Sequence, residues 1–503
     1  MSGSVRPIII RGGLVVRPAD GTVALADILV ADGLIAEVGA PGLPAPEEAE
    51  VLDATDRLIM PGLVNAHTHS HLAIAKGLSR SWTLELHLHN GPWTGGGQRF
   101  EDRYLLAQAS AAEMLLKGCT ACYDLVLELP APTPEGMFAT AAGFKDAGMR
   151  AVIAPMLADR TFWQAIPGLR DALPPELRPT VDGITLASRD VALIACERML
   201  AEWPHDRSIV RPALAPTIPL HCSDAFWTGC RDLAERHGAG IHAHLAESKI
   251  QAIAGEARYR KSLTAHLDSL GILGHNFTAA HGIWLDGADL DILARRGACV
   301  AHNPSSNFRL GSGIANVPAM RAAGVTVGIG SDACSCSDHQ NLFETMRLAC
   351  YLSRTASFDP DDWLTPREVF EMATRGSARA LGMQDIAGDI RPGLAADLVF
   401  LDLTSVNFTP LNDPLYQLVF AEEGRSVDRV MVGGRTVVEK GKLITIDYDA
   451  LRRKLNDRAR EIQAANAPRK AALAALEPFV KHYCVGLAQG SRQIEIAEDI
   501  SDA

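Results

Sequence analysis

Apolar residues near the two ends of the chain come in short runs separated by turn-forming residues, a pattern that predicts β-strands. In the first 58 residues these runs cover residues 8–10, 14–17, 27–31 and 34–38. Asp32-Gly33 joins the last two runs and is typical of a tight hairpin. The pattern returns in residues 397–403, 429–432 and 435–439. Neither end supplies enough strands for a good sheet, so we expect one small composite β-sandwich domain built from residues 1–58 and 393–448.

The middle of the chain, residues 59–392, has a different rhythm, in which short apolar runs alternate with helical stretches. Eight of the apolar runs are candidate strands: residues 63–66, 120–124, 150–154, 209–215, 241–246, 277–280, 298–301 and 325–330. Eight strand-then-helix units predict an α/β fold, a (β/α)8 TIM-type barrel with its active site at the C-terminal strand ends. The last segment, 449–503, is rich in Ala, Arg, Lys and Leu and predicts a helical tail.

Composition narrows the class of protein without identifying a substrate. The 503 residues are 47% hydrophobic and 21% charged, as in ordinary globular proteins. The formal net charge of −12 argues against nucleic acid or an anionic membrane as a partner. No apolar run approaches the roughly 18 residues of a membrane span, and the first residues lack a signal-peptide core. We therefore expect a cytoplasmic protein.

Polar side chains that can bind a metal follow four of the predicted barrel strands. His67 and His69 end the first strand, and residues two apart in a strand point the same way. The other three clusters are His242-Ala-His244-Leu-Ala-Glu247 after the fifth strand, His281 after the sixth and Ser331-Asp332 after the eighth. Imidazoles and a carboxylate that converge on a barrel mouth suit a divalent ion such as zinc.

These segments resemble the amidohydrolase superfamily, and most closely its branch of aromatic-ring deaminases and s-triazine hydrolases. That branch includes deaminases of adenosylhomocysteine, guanine and pterins, and atrazine chlorohydrolase. The resemblance is carried by residues 61–69 (PGLVNAHTH), 244–247 (HLAE), 280–282 (AHG) and 328–332 (GIGSD). Residues 302–307 (HNPSSN), 310–313 (LGSG) and 388–397 (GDIRPGLAAD) also match, in the order of the family.

The resemblance implies a role for each of six residues. It makes His67, His69, His244 and Asp332 the metal ligands, Glu247 the proton shuttle and His281 the residue that holds the attacking water. The physical chemistry agrees, because a divalent ion lowers the pKa of its water and Asp332 lies where it can take the proton. Glu247 can then protonate a ring nitrogen and the leaving group. Glu247 could instead form a salt bridge with Lys249 at the barrel rim.

Three departures from the family pattern refine this expectation. Binuclear members carry a bridging lysine at the end of strand four, whereas residues 209–217 contain none, so we expect one divalent ion per chain, Zn²⁺ or alternatively Fe²⁺. Adenosine-type deaminases usually carry a histidine where this chain has Thr217. Their segment bearing tryptophan and glutamate is replaced by residues 81–89. The last two differences put a nucleoside substrate in doubt.

Several other polar residues near these motifs could serve either the site or the packing of the fold. His242 is expected to support its neighbours or to pack rather than to bind the ion. Cys334 and Cys336 either line the pocket or pack in the core. His71, His87 and His89 lie in the first loop, where they either contact substrate or serve the fold. Residues 90–97, rich in glycine, are expected to form a flexible lid that carries Trp93.

Three functions are compatible with these motifs. The first is deamination of a nitrogen heterocycle, such as a pterin, purine, pyrimidine or triazine, by metal-activated water. The second uses the same site to hydrolyse another C–N or a C–Cl bond, including a urea or an amide. The third is a non-enzymatic barrel with a structural metal, but such a site needs neither Glu247 nor a proton acceptor. We expect a hydrolase with a small heterocyclic substrate, and a homo-oligomer, since barrels of this branch commonly pair.

Overall fold

A computed structural model describes residues 6–494 and contains two sheets with the helices arranged around one of them. The strands are β1 (Ile8–Val16), β2 (Val23–Ala31), β3 (Leu34–Gly39), β4 (Glu50–Asp53), β5 (Arg57–Pro61), β6 (Leu63–Thr68), β7 (Cys119–Val126), β8 (Arg150–Leu157), β9 (Val210–Pro216), β10 (Gly240–Leu245), β11 (Phe277–His281), β12 (Cys299–His302), β13 (Thr326–Ile329), β14 (Leu398–Asp402), β15 (Val427–Val432), β16 (Arg435–Glu439) and β17 (Lys442–Leu443).

Helices follow most barrel strands and also form the end of the described chain. They are α1 (Leu84–Thr94), α2 (Phe100–Leu116), α3 (Pro134–Ala147), α4 (Phe162–Ala165), α5 (Arg178–Asp182), α6 (Arg189–Ala201), α7 (Asp224–His237), α8 (Lys249–Tyr259), α9 (Leu263–Ser269), α10 (Gly287–Arg296), α11 (Pro304–Arg309), α12 (Val317–Ala322), α13 (Leu342–Ser353), α14 (Pro366–Glu371), α15 (Ser377–Ala380), α16 (Pro414–Phe420), α17 (Tyr448–Ala474) and α18 (Glu477–Ala488). None of the helices between residues 6 and 494 is long and apolar enough to cross a membrane.

Strands β6 to β13 form an eight-stranded parallel sheet in which each strand pairs with the next along the chain. The sheet curls until its ends meet at the mouth, where Thr68 bridges to Asp332 and the Asp332 N–H donates to the His67 carbonyl. Each of the eight predicted barrel strands overlaps an observed one. The predicted TIM-type barrel is therefore confirmed.

The second sheet combines strands from both ends of the chain, as the sequence predicts. Its strand order is β17-β16-β15-β14-β5-β1-β2-β3, with β4 paired to β1, and the two halves meet where β5 runs antiparallel to β14. The β2–β3 hairpin turns at Asp32 and Gly33, both with positive φ. A side chain at Gly33 would meet the Gly433 carbonyl oxygen at 2.8 Å, so the turns of the two halves pack directly on each other.

Local sequence signals set the limits of the barrel helices. Helix α7 begins after Ser223, whose side chain accepts from the Phe226 N–H, and ends at Gly238 in the left-handed conformation. Helix α10 has the same arrangement, with a capping box of Asp286 and Asp289 at its start and left-handed Gly297 at its end. Phe226 and Trp227 of α7 are fully buried against the barrel core.

The predicted flexible lid at residues 90–97 is wrong, because helix α1 extends to Thr94. Thr83 caps the start of α1, and Trp93 is only 7% exposed. Trp93 packs with Trp82 in a second apolar cluster that includes residues of α18. The glycine-rich composition predicts a loop, but contacts with distant residues hold this segment in a helix. Residues 495–503 of the predicted tail lie outside the described residues.

Candidate metal centre and active site

The side chains predicted to bind a metal meet at one point on the barrel mouth. His67 lies near the end of β6, and His69 follows it with its ring turned to the same side. The Asp332 Oδ1 atom lies 3.4 Å from His67 Nε2 and 3.2 Å from His69 Nε2. His244 Nε2, from β10, lies 3.3 Å from His69 Nε2. The sequence-predicted ligand set is thus brought together from three separate strand ends.

The donor atoms of this cluster fit a cation. One potential ligand atom each from His67, His69 and His244 lie within 4.8 Å of one another, and the same holds for His67, His281 and Asp332. The Nε2 atoms of His67 and His281 are buried without a hydrogen-bond partner. Buried nitrogen atoms without partners are costly, and two facing imidazole nitrogens do not satisfy each other unless a proton or a cation lies between them. A divalent ion would satisfy all of them.

Each imidazole is fixed through its other nitrogen. His69 Nδ1 donates to the Leu125 carbonyl at 2.8 Å, and His244 Nδ1 donates to the Thr217 carbonyl at 2.7 Å. His67 Nδ1 lies 3.1 Å from His242 Nε2. These contacts select the tautomer that leaves Nε2 free to face the centre, which is the usual arrangement around a bound metal. His242 lies beside His67 and outside the donor cluster.

Asp332 is held rigidly at the centre of the cluster. Its Oδ2 atom accepts from the Ser306 hydroxyl at 2.6 Å, and its Oδ1 atom accepts from the Ala333 N–H at 2.8 Å. Burial alone would raise the pKa of Asp332, but the adjacent imidazoles of His67 and His69 outweigh burial and hold that pKa well below the usual value. The carboxylate is therefore ionised, as a metal ligand and proton acceptor must be.

Three residues at the barrel mouth have strained backbone conformations. Ala246, His281 and Asp332 have φ values of 50°, 72° and 60°, in the left-handed region that non-glycine residues rarely adopt. Such strain persists only where the surrounding structure enforces it, and it collects at functional sites. Here the strained positions lie at the ends of β10, β11 and β13, so they direct the side chains that follow each strand into one pocket.

Glu247 lies at the edge of the donor cluster and is 3% exposed. Its Oε1 atom is 3.5 Å from His281 Nε2. Burial raises the pKa of Glu247 well above its usual value, and the carboxylates of Asp332 and Glu85 add to this effect. Lys249 is directed elsewhere, since its Nζ donates to the Ala488 carbonyl at 2.7 Å. The alternative salt bridge between Glu247 and Lys249 is therefore absent, and Glu247 is available as an acid.

His281 is oriented by the segment 302–307 that carries part of the family resemblance. Its Nδ1 atom lies 2.8 Å from Asn307 Oδ1, so Nδ1 donates and Nε2 is left to accept from another group. Burial lowers the pKa of His281 and so favours the neutral ring. The roles of Ser306 and Asn307 as partners of Asp332 and His281 could not be read from the sequence, although the matching motif indicated where they lie.

The structure also shows where the cysteines and histidines lie that could serve either the site or the packing of the fold. Cys336 Sγ lies 3.2 Å from Asp332 Oδ2 and so lines the site, whereas Cys334 faces Glu113. His89 Nε2 contacts the Leu473 carbonyl at 2.9 Å, away from the centre. His71 Nδ1 accepts from the Leu127 N–H at 3.4 Å. His87 Nδ1 is buried without a partner, and burial lowers the pKa of His87 to about 4.

One buried carboxylate near the centre was not predicted from the sequence. Glu85, in the first turn of α1, accepts from the Ser248 hydroxyl at 2.7 Å, and Ser248 directly follows Glu247. Both residues are buried. No local sequence pattern indicates this contact, because the two residues are 163 positions apart.

Comparison with known proteins agrees with this arrangement. Residues 58–437 match the sequence model described as the Amidohydrolase family. The chain belongs to this family. A 5-methylthioadenosine/S-adenosylhomocysteine deaminase from Syntrophobacter fumaroxidans is 33% identical over 439 residues, which is 87% of this chain and 93% of that protein. An 8-oxoguanine deaminase from Pseudomonas aeruginosa is 32% identical over 452 residues, or 88% and 96% of the two chains.

Solved structures share the fold of this amidohydrolase. A zinc-bound adenosine deaminase from Xanthomonas campestris superposes with a TM-score of 0.79 at 28% identity and covers 90% of this chain and 98% of its own. A triazine hydrolase from an Arthrobacter species gives 0.81 at 24% identity over 90% and 100% of the two chains. The predictions of an amidohydrolase-family enzyme, and of relatives that deaminate nitrogen heterocycles, are confirmed.

Proposed function

We propose that this amidohydrolase deaminates a nitrogen heterocycle and uses one divalent ion held by His67, His69, His244 and Asp332. The observation that carries the proposal is the position of Glu247. It is a buried acid with a raised pKa, 3.5 Å from His281 and beside the donor cluster. A site that only held a metal would have no use for a protonated carboxyl group there, whereas deamination needs a proton donor at the ring.

The residues of the chain divide the reaction between them. When bound, the ion supplies the positive charge that makes a water molecule acidic at neutral pH. His281 Nε2 accepts a hydrogen bond from this water and orients it, and Asp332 takes its proton. Glu247 donates a proton to the ring nitrogen next to the carbon that is attacked. The water oxygen bonds to that carbon, and Glu247 passes the remaining hydroxyl proton to the amino group, so that the exocyclic C–N bond breaks and ammonia leaves. The proton held by Asp332 then returns to Glu247.

Zinc is the ion that we propose for this site. Three imidazole nitrogens and one carboxylate form a donor set that suits Zn²⁺, although Fe²⁺ accepts similar ligands. Strand β9 reads VRPALAP and offers no lysine to bridge a second ion, which supports a single-metal centre. A cytoplasmic location and a homo-oligomeric state stay predictions.

Ammonia release from a panel of heterocycles tests the proposed function. The metal-loaded protein is mixed with amino-substituted pterins, purines, pyrimidines and triazines, and with chloro- and alkylamino-triazines, ureas and amides. We expect ammonia from at least one amino-substituted ring, released on the order of 10²–10⁴-fold more slowly by the Glu247→Gln variant at equal metal content. Release of chloride, an alkylamine or a ring-opened product without ammonia would instead assign the second function, hydrolysis of another bond.

A further inference from the structure

Helix α1 lies over the metal centre. Leu84, in its first turn, packs in one apolar cluster with Ala333 and Cys336, which follow Asp332 in the chain. Glu85 reaches Ser248, next to Glu247, on the opposite side of the mouth. The predicted ligands, Glu247 and His281 are all buried beneath this cover. Helix α1 therefore connects the β13 side of the barrel mouth with the β10 side.

The sequence of α1 makes its second half a poor helix on its own. Gly91 and Pro92 lie within the last turns, and Gly95, Gly96 and Gly97 follow. Glycine and proline are the weakest helix formers, and proline also removes a backbone donor. The carbonyl groups at the end of a helix need partners from elsewhere in the structure. The position of α1 therefore depends on whatever supplies those partners.

Helices α17 and α18, the C-terminal hairpin, supply them. Asn466 of α17 is 3% exposed, and its Nδ2 atom donates to the Trp93 carbonyl at 2.9 Å and to the Gly96 carbonyl at 2.8 Å. Arg469 Nη1 donates to the Pro92 carbonyl at 3.1 Å. Lys470 Nζ lies 4.5 Å from the centre of the Trp93 ring. Three side chains within one turn of α17 thus fix the weak end of α1.

The C-terminal hairpin also connects the other loops around the mouth. Tyr483 of α18 donates to the Pro167 carbonyl at 2.6 Å, in the segment that follows β8. The last carbonyl of α18, that of Ala488, accepts from Lys249, which lies two residues after Glu247 and over the Trp284 ring. The hairpin thus contacts both the segment after β8 and Lys249, close to Glu247.

The C-terminal hairpin lies beyond the residues that match the family model. The family match ends at residue 437, whereas α17 begins at Tyr448. We propose that the C-terminal hairpin determines substrate size: by holding α1 over the metal centre, it restricts the site to a free heterocyclic ring and excludes rings with a bulky substituent such as a ribose. This inference rests on the proposed deamination and specifies its substrate class.

Loosening the contact between α17 and α1 tests the proposal. The test variant combines Asn466→Ala with Arg469→Ala. The control is Arg460→Ala, which changes an exposed α17 residue whose recorded partner is Asp457 of the same helix. The substrates are the best ring from the panel and the same ring with a ribosyl or benzyl substituent. For the wild type and the control we expect kcat/KM to be about 100-fold lower for the substituted ring, a typical discrimination by shape.

In the double variant, the ratio of kcat/KM for the free ring to kcat/KM for the substituted ring should fall at least about tenfold, through a lower KM for the substituted ring. The metal content should stay the same. Wild-type protein that processes both rings within a few-fold would overturn the proposal. An equal ratio of kcat/KM values in the wild type and the double variant would also overturn the proposal.

A second measurement keeps this test independent of the proposed function. If no ring releases ammonia, the proposed deamination fails, but access to the centre can still be measured with zinc-loaded protein and phenanthroline, a flat chelator of similar size to a fused ring. We expect phenanthroline to remove zinc about tenfold faster from the double variant than from the wild type or Arg460→Ala, because local opening of α1 becomes easier. Equal rates in the three proteins would overturn the proposed role of the hairpin.

Discussion

At the scale of single residues, His67 differs from the other predicted ligands in what holds its ring. His69 and His244 donate to backbone carbonyls, whereas His67 faces the imidazole of His242. Replacement of His242 by leucine removes the acceptor, and we expect metal affinity to fall about 10- to 100-fold, the usual effect of losing such a partner. His242→Gln offers a side-chain oxygen and should retain more of the affinity. Zinc competition titrations would measure both, and unchanged affinity in His242→Leu would contradict this role.

Glu247 can be separated from metal binding by a conservative substitution. Glu247→Gln should keep its metal but lose on the order of 10²–10⁴-fold in turnover, because glutamine cannot donate the proton. The raised pKa means that the acid form persists to higher pH than in an exposed glutamate and is lost as pH rises through that pKa. Wild-type activity should therefore decline on the alkaline side, and the residual activity of the variant should not. A metal-replete Glu247→Gln protein whose turnover is within a few-fold of wild type would exclude Glu247 as the proton donor.

At the scale of elements, one buried ion pair attaches α17 to the barrel. Arg458 of α17 binds both carboxylate oxygens of Asp102 in α2, at 2.7 and 2.8 Å, and both side chains are largely buried. Arg458→Ala leaves Asp102 without this partner, so we expect it to cost about 3 kcal/mol in the free energy of unfolding. Arg460→Ala removes an exposed pair on the same helix and should cost less than about 1 kcal/mol. Chemical denaturation would compare the two, and similar midpoints would refute the expectation.

Elements defined by local signals were predicted well, and elements defined by distant contacts were not. Helix α7 has local signals at both ends, a serine cap and a left-handed glycine. Helix α1 was missed, since its glycines and proline predict a loop and its stability comes from Asn466, more than 370 residues away. The eight barrel strands lie where the apolar runs predict them, because a buried parallel strand is apolar on both faces.

At the scale of the whole molecule, a second buried ion pair joins the barrel to the composite sheet. Arg150, at the start of β8, donates to both oxygens of Asp397, at 2.8 and 3.2 Å, and Asp397 also accepts from the Gly433 N–H. Asp397→Ala leaves a buried guanidinium without this partner and should lower the free energy of unfolding by about 3–5 kcal/mol. The metal site is distant in sequence and should keep its affinity. A denaturation midpoint of Asp397→Ala equal to that of wild type would contradict the predicted loss of stability.

Metal stoichiometry is the other prediction for the intact molecule. Purified protein should hold one tightly bound divalent ion per chain, and His244→Ala should lose the ion and the activity together while the barrel stays folded. The fold is expected to persist because its stability comes from apolar burial and not from the ion. Elemental analysis would measure the metal content, and circular dichroism would show whether the barrel stays folded. Two ions per chain, both needed for activity, would refute the single-metal assignment.

The sequence by itself determined the barrel, the composite sheet and the six residues predicted at the metal centre. It could do so because strand periodicity and short motifs are local, and because parallel strands bring their C-terminal ends to one side. Only the tertiary structure decided which group each imidazole donates to, that Lys249 reaches Ala488 rather than Glu247, and that Glu85 enters the pocket. These contacts join residues far apart in the chain, and their geometry depends on how whole helices pack. No local pattern specifies such packing, and the cover of the active site therefore became visible only in the folded molecule.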